Sequence, residues 1–186
     1  VVEKGLEGYK ILVMPDSDVI TRSVLEKVKA FQAQGGVVVG DANLTPALKP
    51  DIVLDLYKRS GLAANDKAEL QARAAKLRTT LAEGKYEAYL ATSNPEVVPY
   101  RRRYAETDYV FLVNDHREPG RYVGHHGRVM ENGLPSAARV AVRRESGFGY
   151  DLVAHQAVAL RREGDQLVLN VELGPGDGRM LMVTPV

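Results

Sequence analysis

Hydrophobic residues recur with different spacings along the chain, and each spacing predicts a different kind of structure. Two short apolar runs near the start, KILVM at residues 10–14 and VVVGD at 37–41, are typical of strands buried on both faces of a parallel sheet. Between these runs, apolar side chains recur at helical spacing, at Val24, Leu25, Val28 and Phe31. The first part of the chain is therefore predicted to form a strand, a helix and a second strand.

The predicted helix has both a start and a stop signal. Thr21 or Ser23 can cap its N-terminus through a side-chain oxygen, and the Gly35-Gly36 pair ends it. A strand, a helix and a parallel strand make a right-handed βαβ unit, to which the run DIVLDL at 51–56 adds a third strand. Three strands are few for a sheet of this kind, so we expect further strands upstream of Val1 and interpret the chain as a fragment or a processed protein.

The pattern then changes twice. From Asn65 to about Tyr89 the sequence is rich in alanine and leucine and predicts a connecting helix that packs across a domain junction. The apolar stripe of this helix is Leu70, Ala74, Leu77 and Leu81. After residue 104, short alternating runs separated by glycine, proline and asparagine predict an antiparallel β region. The predicted fold class is α/β plus all-β, with a partial parallel α/β layer at 1–60, a helical connector at 61–95 and an antiparallel β-sandwich at 96–186.

A glycine-rich segment, GPGDG at 174–178, lies between two of the predicted strands. A phosphate-binding loop needs a helix after its glycines, because the helix N-terminus supplies the amides that hold the anion. Here an apolar run at 179–185 follows instead. Pro175 fixes one φ angle and the glycines allow positive φ, so we predict a β-hairpin turn without affinity for anions.

Composition narrows the functional classes. The hydrophobic fraction of 45% is ordinary for a globular protein, and 25 Lys and Arg residues nearly balance 24 Asp and Glu residues. No global field therefore favours nucleic acid or an anionic membrane as a partner, and no apolar run is long enough to span a bilayer. The absence of cysteine excludes disulfides, thiolate metal sites and cysteine nucleophiles. The sequence predicts no cofactor, and it does not assign a compartment.

Three aspartates are the candidate ligand-binding residues. Asp16 and Asp18 follow the first predicted strand, and Asp41 ends the second. Ligands of open α/β sheets collect at the carboxyl ends of the strands, so Asp16 and Asp41 could face one crevice as acid/base groups or metal ligands. Aspartate is also common at such positions as a helix cap or a loop-closing acceptor, and this structural interpretation is favoured.

The remaining polar clusters also favour structural roles. The histidines are His116, His125, His126 and His155, and neighbouring histidines on a strand point to opposite faces, so no metal site is predicted. Arg101, Arg102 and Arg103 lie between tyrosines, but acidic residues follow at once. A solvated face or an inter-domain ion-pair cluster is therefore favoured over a nucleic-acid site. No serine lies in a nucleophile-elbow pattern, and no catalytic set is recognisable.

Two stretches resemble parts of known enzymes. YKILVMPDSDVITRSVLEKVKAFQAQGGVVVGD, at 9–41, resembles the class I glutamine-amidotransferase-like domain of some bacterial beta-galactosidases and related glycoside hydrolases. That domain is flavodoxin-like in fold, follows the catalytic barrel and often mediates trimerisation, so the resemblance implies that the layer at 1–60 is a partial flavodoxin-like domain. YDLVAHQAVALRREGDQLVLNVELGPGDGRMLMVTP, at 150–185, is similar to the small C-terminal β-sandwich that ends many glycoside hydrolases. The catalytic carboxylates of such enzymes lie on the barrel, and amidotransferase chemistry needs a cysteine that this chain lacks.

The resemblance implies a non-catalytic accessory or assembly region of a larger glycoside hydrolase-like protein of carbohydrate metabolism. Its implied partners are an upstream catalytic barrel or other copies of itself. Two alternatives remain open. One is a carbohydrate-binding module, for which the exposed aromatic candidates are Tyr100, Tyr104, Tyr109, Tyr122 and Tyr150, although the chain has no Trp. The other is a small hydrolase or metal-dependent enzyme that uses Asp16, Asp41 or the histidines.

Overall fold

The computed structural model describes residues 8–58, 63–84, 86–123 and 128–185, with the side chains in these ranges except those of 63–65, 119–123 and 128–130. The chain divides into two compact units, and the boundary falls between Thr80 and Leu81. In the described part, no helix combines the length and the apolar character needed to cross a membrane.

The first unit contains a three-stranded parallel sheet in the order β1-β2-β3. Its strands are β1 (Ile11–Met14), β2 (Val37–Asp41) and β3 (Ile52–Leu54), and the helices in the described ranges are α1 (Arg22–Ala33) and α2 (Ala63–Glu83). The predicted strand–helix–strand unit is confirmed. The third strand is shorter than predicted at both ends. Just before it, the Asp51 carboxylate accepts the Val38 N–H at 2.8 Å. These three parallel strands and α1 are as much of the flavodoxin-like layer as the described residues contain.

Helix α1 covers one face of this sheet. The Thr21 side chain caps the helix by accepting the Val24 N–H, and Gly35 follows the helix with a φ of 87°. Val28 and Phe31 are buried against Val38 of the central strand. Helix α2 ends at Glu83, before Gly84 and earlier than predicted, because glycine is a poor helix former.

The second unit is built from antiparallel sheets. Its strands are β4 (Leu90–Thr92), β5 (Val97–Tyr104), β6 (Thr107–Asn114), β7 (Arg117–Val123), β8 (Arg128–Gly133), β9 (Ser136–Val142), β10 (Phe148–Asp151), β11 (Gln156–Val158), β12 (Arg161–Glu163), β13 (Gln166–Leu173) and β14 (Gly178–Thr184). Five strands form one sheet in the order β11-β10-β14-β6-β5, and four form another in the order β12-β13-β9-β4. Strands β7 and β8 pair as a separate ribbon. The described chain is therefore mainly β, with several antiparallel sheets.

The two larger sheets share one hydrophobic core. Val110, Leu112 and Leu181 of the five-stranded sheet are buried together with Val140 and Leu169 of the four-stranded sheet. Such residues alternate with outward-facing ones along each strand, as expected for sheets that pack face to face. The predicted β-sandwich is thus present in the second unit.

The glycine-rich turn at 174–178 joins two sheets, so the predicted hairpin is wrong. Strand β13 pairs with β9 and β12, whereas β14 pairs with β6 and β10. The turn itself is as predicted, because Asp177 N–H donates to Gly174 O at 3.1 Å and Gly176 has a φ of 64°, as in a type II turn. Asn114 holds the turn by donating its side-chain amide to Gly174 O at 2.7 Å and its backbone N–H to Asp177 O at 2.9 Å.

Residues 148–163 form short strands with breaks between them. These strands are β10, β11 and β12, and the chain turns between the first two. The Asp151 carboxylate accepts the N–H groups of Val153 and Ala154, each at 2.9 Å, and His155 has a φ of 53°. A side chain that bonds its own backbone a few residues on competes with strand pairing, which explains the break.

Candidate functional site

Two of the predicted aspartates meet at the carboxyl ends of the parallel strands. Asp41 Oδ2 accepts the backbone N–H of Asp16 at 2.8 Å, and Asp41 Oδ1 accepts the backbone N–H of Asn43 at 3.0 Å. The Asn43 side-chain amide donates to Asp16 Oδ1 at 2.8 Å. Asp16 has a φ of 51°, a left-handed conformation that aspartate tolerates better than most residues. The geometry ties the loops after β1 and β2 to each other.

Asp18 does not join this arrangement. Its side chain is exposed, and it makes no hydrogen bond or ion pair with any residue that the structure describes. Asp16 and Asp41 therefore share a network, as the strand ends predicted, whereas Asp18 stands apart. Both oxygens of Asp41 already accept backbone donors, so the observed chemistry is loop closure, and ligand binding by these residues stays a prediction.

A cavity of about 400 Å³ lies beside Asp41 in the first unit. Leu70, Ala74 and Leu77 of α2 form one wall, and residues of β3 form the other. Those three side chains belong to the predicted apolar stripe, which accounts for the largely apolar lining. Asp41 lines the cavity, whereas Asp16 and Asp18 do not.

Charged groups at this cavity are held by local partners. Arg73 donates to the backbone oxygens of Asp55 and Leu56, at 2.5 and 3.1 Å, and pairs with Glu69 at 2.6 Å. Lys76 pairs with the Asp55 carboxylate at 3.2 Å, and both side chains are largely exposed. These contacts anchor α2 to the end of β3.

The histidines do not form a metal site in the described part of the chain, where no group of three or more potential ligands occurs. His125 and His126 lie outside the described residues, and His155 is exposed on a turn. His116 Nδ1 lies 3.1 Å from Pro135 O and 3.2 Å from Ser136 Oγ.

The contact between His116 and Ser136 is one that sequence reasoning missed, because the two residues are twenty positions apart. The same ring nitrogen faces a backbone carbonyl, which can only accept a hydrogen bond. A proton on Nδ1 would be donated to this carbonyl, and in that tautomer Nδ1 is not a base for Ser136.

Asp108 is a fully buried carboxylate of the second unit, with no exposed surface. Its carboxylate accepts from Arg101 Nε at 2.7 Å, from the Tyr89 hydroxyl at 2.7 Å and from Arg144 Nη1 at 3.2 Å. The Arg101 guanidinium also lies 3.6 Å from the centroid of the Tyr89 ring. Burial raises the pKa of the Tyr89 hydroxyl above its ordinary value, and the hydrogen bond to Asp108 raises it further.

This cluster corrects the interpretation of the three consecutive arginines. Arg101 belongs to an ion-pair cluster, but every partner lies within the second unit, so the cluster is not inter-domain. Arg102 lies over the Tyr100 ring at 5.1 Å, and Arg103 donates to Ala105 O at 3.0 Å. Alternation along β5 places Arg101 and Arg103 on the inner face of the strand and Arg102 on the outer face.

A second fully buried carboxylate, Asp151, is neutralised in the same way. It accepts Arg179 Nη1 at 3.0 Å in addition to the two backbone N–H groups of its turn. Burial alone would raise the pKa of Asp151, but the N–H groups of Ala154 and Val153 and the Arg179 guanidinium together hold that pKa below its ordinary value. Arg179 is therefore engaged by a carboxylate inside the protein.

The outer face of the five-stranded sheet carries a concentration of aromatic side chains. Directly opposed residues of antiparallel strands lie on the same face, so the register brings Tyr100 beside Phe111 and Tyr109 beside Met182. We call this surface the aromatic face and define it by Tyr100, Tyr104, Tyr109, Phe111, Phe148 and Tyr150. Val98, Val113, Met180 and Met182 fill the positions between them.

The aromatic face differs from the outer face of the other sheet. Tyr100 is 50% exposed and Val113 is 52% exposed, although both are large apolar side chains. On the four-stranded sheet the corresponding outward positions include Arg139, Asn170 and Glu172. A contiguous apolar surface of this kind marks a binding or interaction site more often than scattered apolar residues do. Of the five tyrosines that the sequence suggested as exposed aromatics, Tyr100, Tyr104, Tyr109 and Tyr150 share this face, and the side chain of Tyr122 lies outside the described part of the structure. Their assembly on one face depends on strand register.

Comparisons place the fold among glycoside hydrolase structures. No protein-family profile matches the sequence, and no curated protein matches it. The structure is similar to part of alpha-L-fucosidase isoenzyme 2 from Paenibacillus thiaminolyticus, with a TM-score of 0.65 and 16% identity over 99% of this chain and 42% of that one. It is also similar to the E323A mutant of Gan42B, a GH42 beta-galactosidase from G. stearothermophilus, with a TM-score of 0.52 and 12% identity over 95% of this chain and 32% of that one.

A third similar structure is the rhamnosidase from Novosphingobium sp. PP1Y, with a TM-score of 0.51 and 12% identity over 92% of this chain and 17% of that one. At such low identity the likeness concerns the fold alone. The chain spans less than half of the length of each of these structures. This protein thus shares its fold with a portion of several glycoside hydrolase chains.

Proposed function

We propose that this chain is a non-catalytic accessory and assembly region of a larger glycoside hydrolase-like protein. The observation that carries the proposal is the use of its carboxylates. Asp108 and Asp151 are fully buried and bound by arginines, and Asp41 accepts two backbone N–H groups. Each of these acids has a structural task, whereas glycoside hydrolysis needs two carboxyl groups that face a sugar-sized cleft.

The fold likeness supports the larger context of the proposal. Similar structures bear the names of a fucosidase, a beta-galactosidase and a rhamnosidase, and this chain matches only a minor part of each. In such a context the first unit would correspond to a partial flavodoxin-like, amidotransferase-like assembly domain, and the second to a terminal β-sandwich. The partners would be an upstream catalytic barrel or further copies of the chain.

A carbohydrate-binding module is the second candidate, and the aromatic face is the observation that favours it. Tyrosine rings can stack on apolar faces of sugars, and Tyr100, Tyr104, Tyr109 and Tyr150 share one sheet face. Valine and methionine occupy much of the same face; valine offers a sugar hydroxyl no hydrogen bond, and the methionine sulfur is only a weak acceptor. An accessory role in assembly is therefore preferred.

The proposal is tested by assaying the purified chain on a panel of aryl glycosides beside Asp16→Asn and Asp41→Asn variants. We expect no turnover above the uncatalysed background for any of the three proteins. Turnover by the unmodified chain that either substitution abolishes would reject the proposal in favour of a small enzyme that uses these aspartates. Titration with soluble oligosaccharides, monitored by tyrosine fluorescence, separates the carbohydrate-binding candidate from the assembly role.

A further inference from the structure

The aromatic face has the chemistry of an interior surface although it lies outside the sandwich. Three of its side chains are strongly exposed, with Tyr104 at 78%, Tyr100 at 50% and Phe148 at 46%. The described residues that point outward on β5, β6, β10 and β14 include one cation, Arg102, and no carboxylate. An apolar surface with so few charges is suited to packing against another apolar surface.

A second β-sheet is the natural partner for such a surface. The inner face of the same sheet already packs on the four-stranded sheet through valine and leucine side chains. Two sheets stacked face to face lie about 10 Å apart, and their side chains interdigitate. A second copy of this chain presents an identical sheet face, and an interface with twofold symmetry needs only that the patch be complementary to itself.

Self-complementarity extends to the single charge on this face. Arg102 already lies over the Tyr100 ring within its own chain, at 5.1 Å. In a twofold arrangement the arginine of each copy can reach the tyrosines of the other, where cation–π attraction offsets the repulsion between the two cations. The charge on the face is therefore compatible with pairing.

The exposed area of the aromatic face sets the expected strength of dimerisation. If each ring has roughly 200 Å² of surface, the exposed rings, valines and methionines together offer roughly 500 Å² per copy. Two copies would bury about 1,000 Å² in total, which is the lower end for a specific protein–protein interface. The dimer should therefore be weak and dependent on concentration.

We propose that the aromatic face is a docking surface for a second copy of this chain, so that two five-stranded sheets stack back to back in a homodimer. The inference rests on the proposed assembly function and names the surface that carries it out. Its occupant is a polypeptide of identical sequence, bound through Tyr100, Phe111, Val113 and Met180 at the centre of the stack.

The test is sedimentation velocity of the complete chain at concentrations from about 1 to 300 µM. We expect a shift from monomer to dimer across this range, and a dissociation constant at least tenfold higher for Tyr100→Glu. The matched control is Asn170→Glu, which places the same charge on the outer face of the other sheet and should dimerise like the unmodified chain. A chain that stays monomeric throughout, or equal association of both variants, would overturn the proposal.

Cysteine crosslinking provides a second readout that does not depend on the charged variant folding. The chain contains no cysteine, so Val113→Cys and Asn170→Cys each introduce a unique thiol. A short bismaleimide should link Val113→Cys into dimers and leave Asn170→Cys monomeric, and the reverse preference would contradict the proposed face.

A carbohydrate-binding result would also overturn the proposal. If the chain is monomeric and is retained on a polysaccharide gel, and Tyr100→Glu is not retained, the aromatic face binds carbohydrate instead. If the chain stays monomeric and shows no glycosidase turnover, only the proposed dimer is rejected. Turnover that depends on Asp16 or Asp41 would reject the proposed function.

Discussion

Replacement of Asp108 by asparagine should strongly destabilise the second unit. The substitution keeps the shape of the side chain but removes the charge that holds Arg101 and Arg144, whose side chains are 26% and 16% exposed. Removing one partner of a buried ion pair costs about 3–5 kcal/mol, because the remaining charge is left without compensation. Asparagine retains one acceptor oxygen, so we expect about 3 kcal/mol, the lower end of this range.

Urea unfolding followed by tyrosine fluorescence measures this loss, since seven of the nine tyrosines lie in the second unit. The matched control is Glu163→Gln. That carboxylate also pairs with two arginines, Arg139 and Arg161, but on the protein surface, where water screens the interaction. Glu163→Gln should barely change the urea midpoint of unfolding. If both variants lower stability equally, the role given to the buried cluster is refuted.

Three further predictions concern the turn and the shifted pKa values of Asp151 and Tyr89. Gly176→Ala should lower the free energy of unfolding by about 1 kcal/mol, because alanine is strained at positive φ. Gly174→Ala, at an ordinary φ, should lower it less. Thermal unfolding of the two variants makes the comparison. The pKa of Asp151 is lowered on folding, so its contribution to stability is present above about pH 4 and is lost as the pH falls through the folded-state pKa. Urea midpoints measured between about pH 2 and 5 should therefore fall less steeply with acidification in Asp151→Asn than in the unmodified chain. The pKa of Tyr89 is raised on folding, so its contribution to stability is present below about pH 10 and is lost as the pH rises through the folded-state pKa. Tyr89→Phe should therefore make the urea midpoint fall less steeply at alkaline pH. An unchanged slope would contradict the role given to Tyr89.

Local signals in the sequence were sufficient to predict β2 and the start of α1 in the first unit. Strand β2 occupies the predicted residues, Val37–Asp41, because a continuous apolar run is bounded by Gly35-Gly36 on one side and polar loop residues on the other. The start of α1 follows from the capping oxygen of Thr21. Both signals act over a few residues, so they can be recognised without knowledge of the rest of the fold.

These local signals could not predict which distant strands pair with each other. A type II turn at 174–178 can close a hairpin or carry the chain to another sheet, and the side chain that fixes the choice, Asn114, is sixty residues away. The aromatic face depends on the register of β5, β6, β14 and β10, of which only β5 and β6 are consecutive in sequence. Asp16 and Asp41 were predictable neighbours because parallel strands place their carboxyl ends at one edge, but the bridging role of Asn43 was not.

The central claim, that Asp41, like the buried Asp108 and Asp151, serves structure rather than catalysis, is tested most directly by the stability of Asp41→Asn compared with Asp18→Asn. Urea unfolding followed by circular dichroism at the helix band reports on the first unit, which contains α1 and most of α2. Asp41→Asn should lose about 1–2 kcal/mol, because one charge-assisted bond to a backbone N–H is removed, and Asp18→Asn should be unchanged. Carboxylates kept for catalysis or binding often reduce stability, so an Asp41→Asn variant as stable as the unmodified chain, or more stable, would contradict the claim.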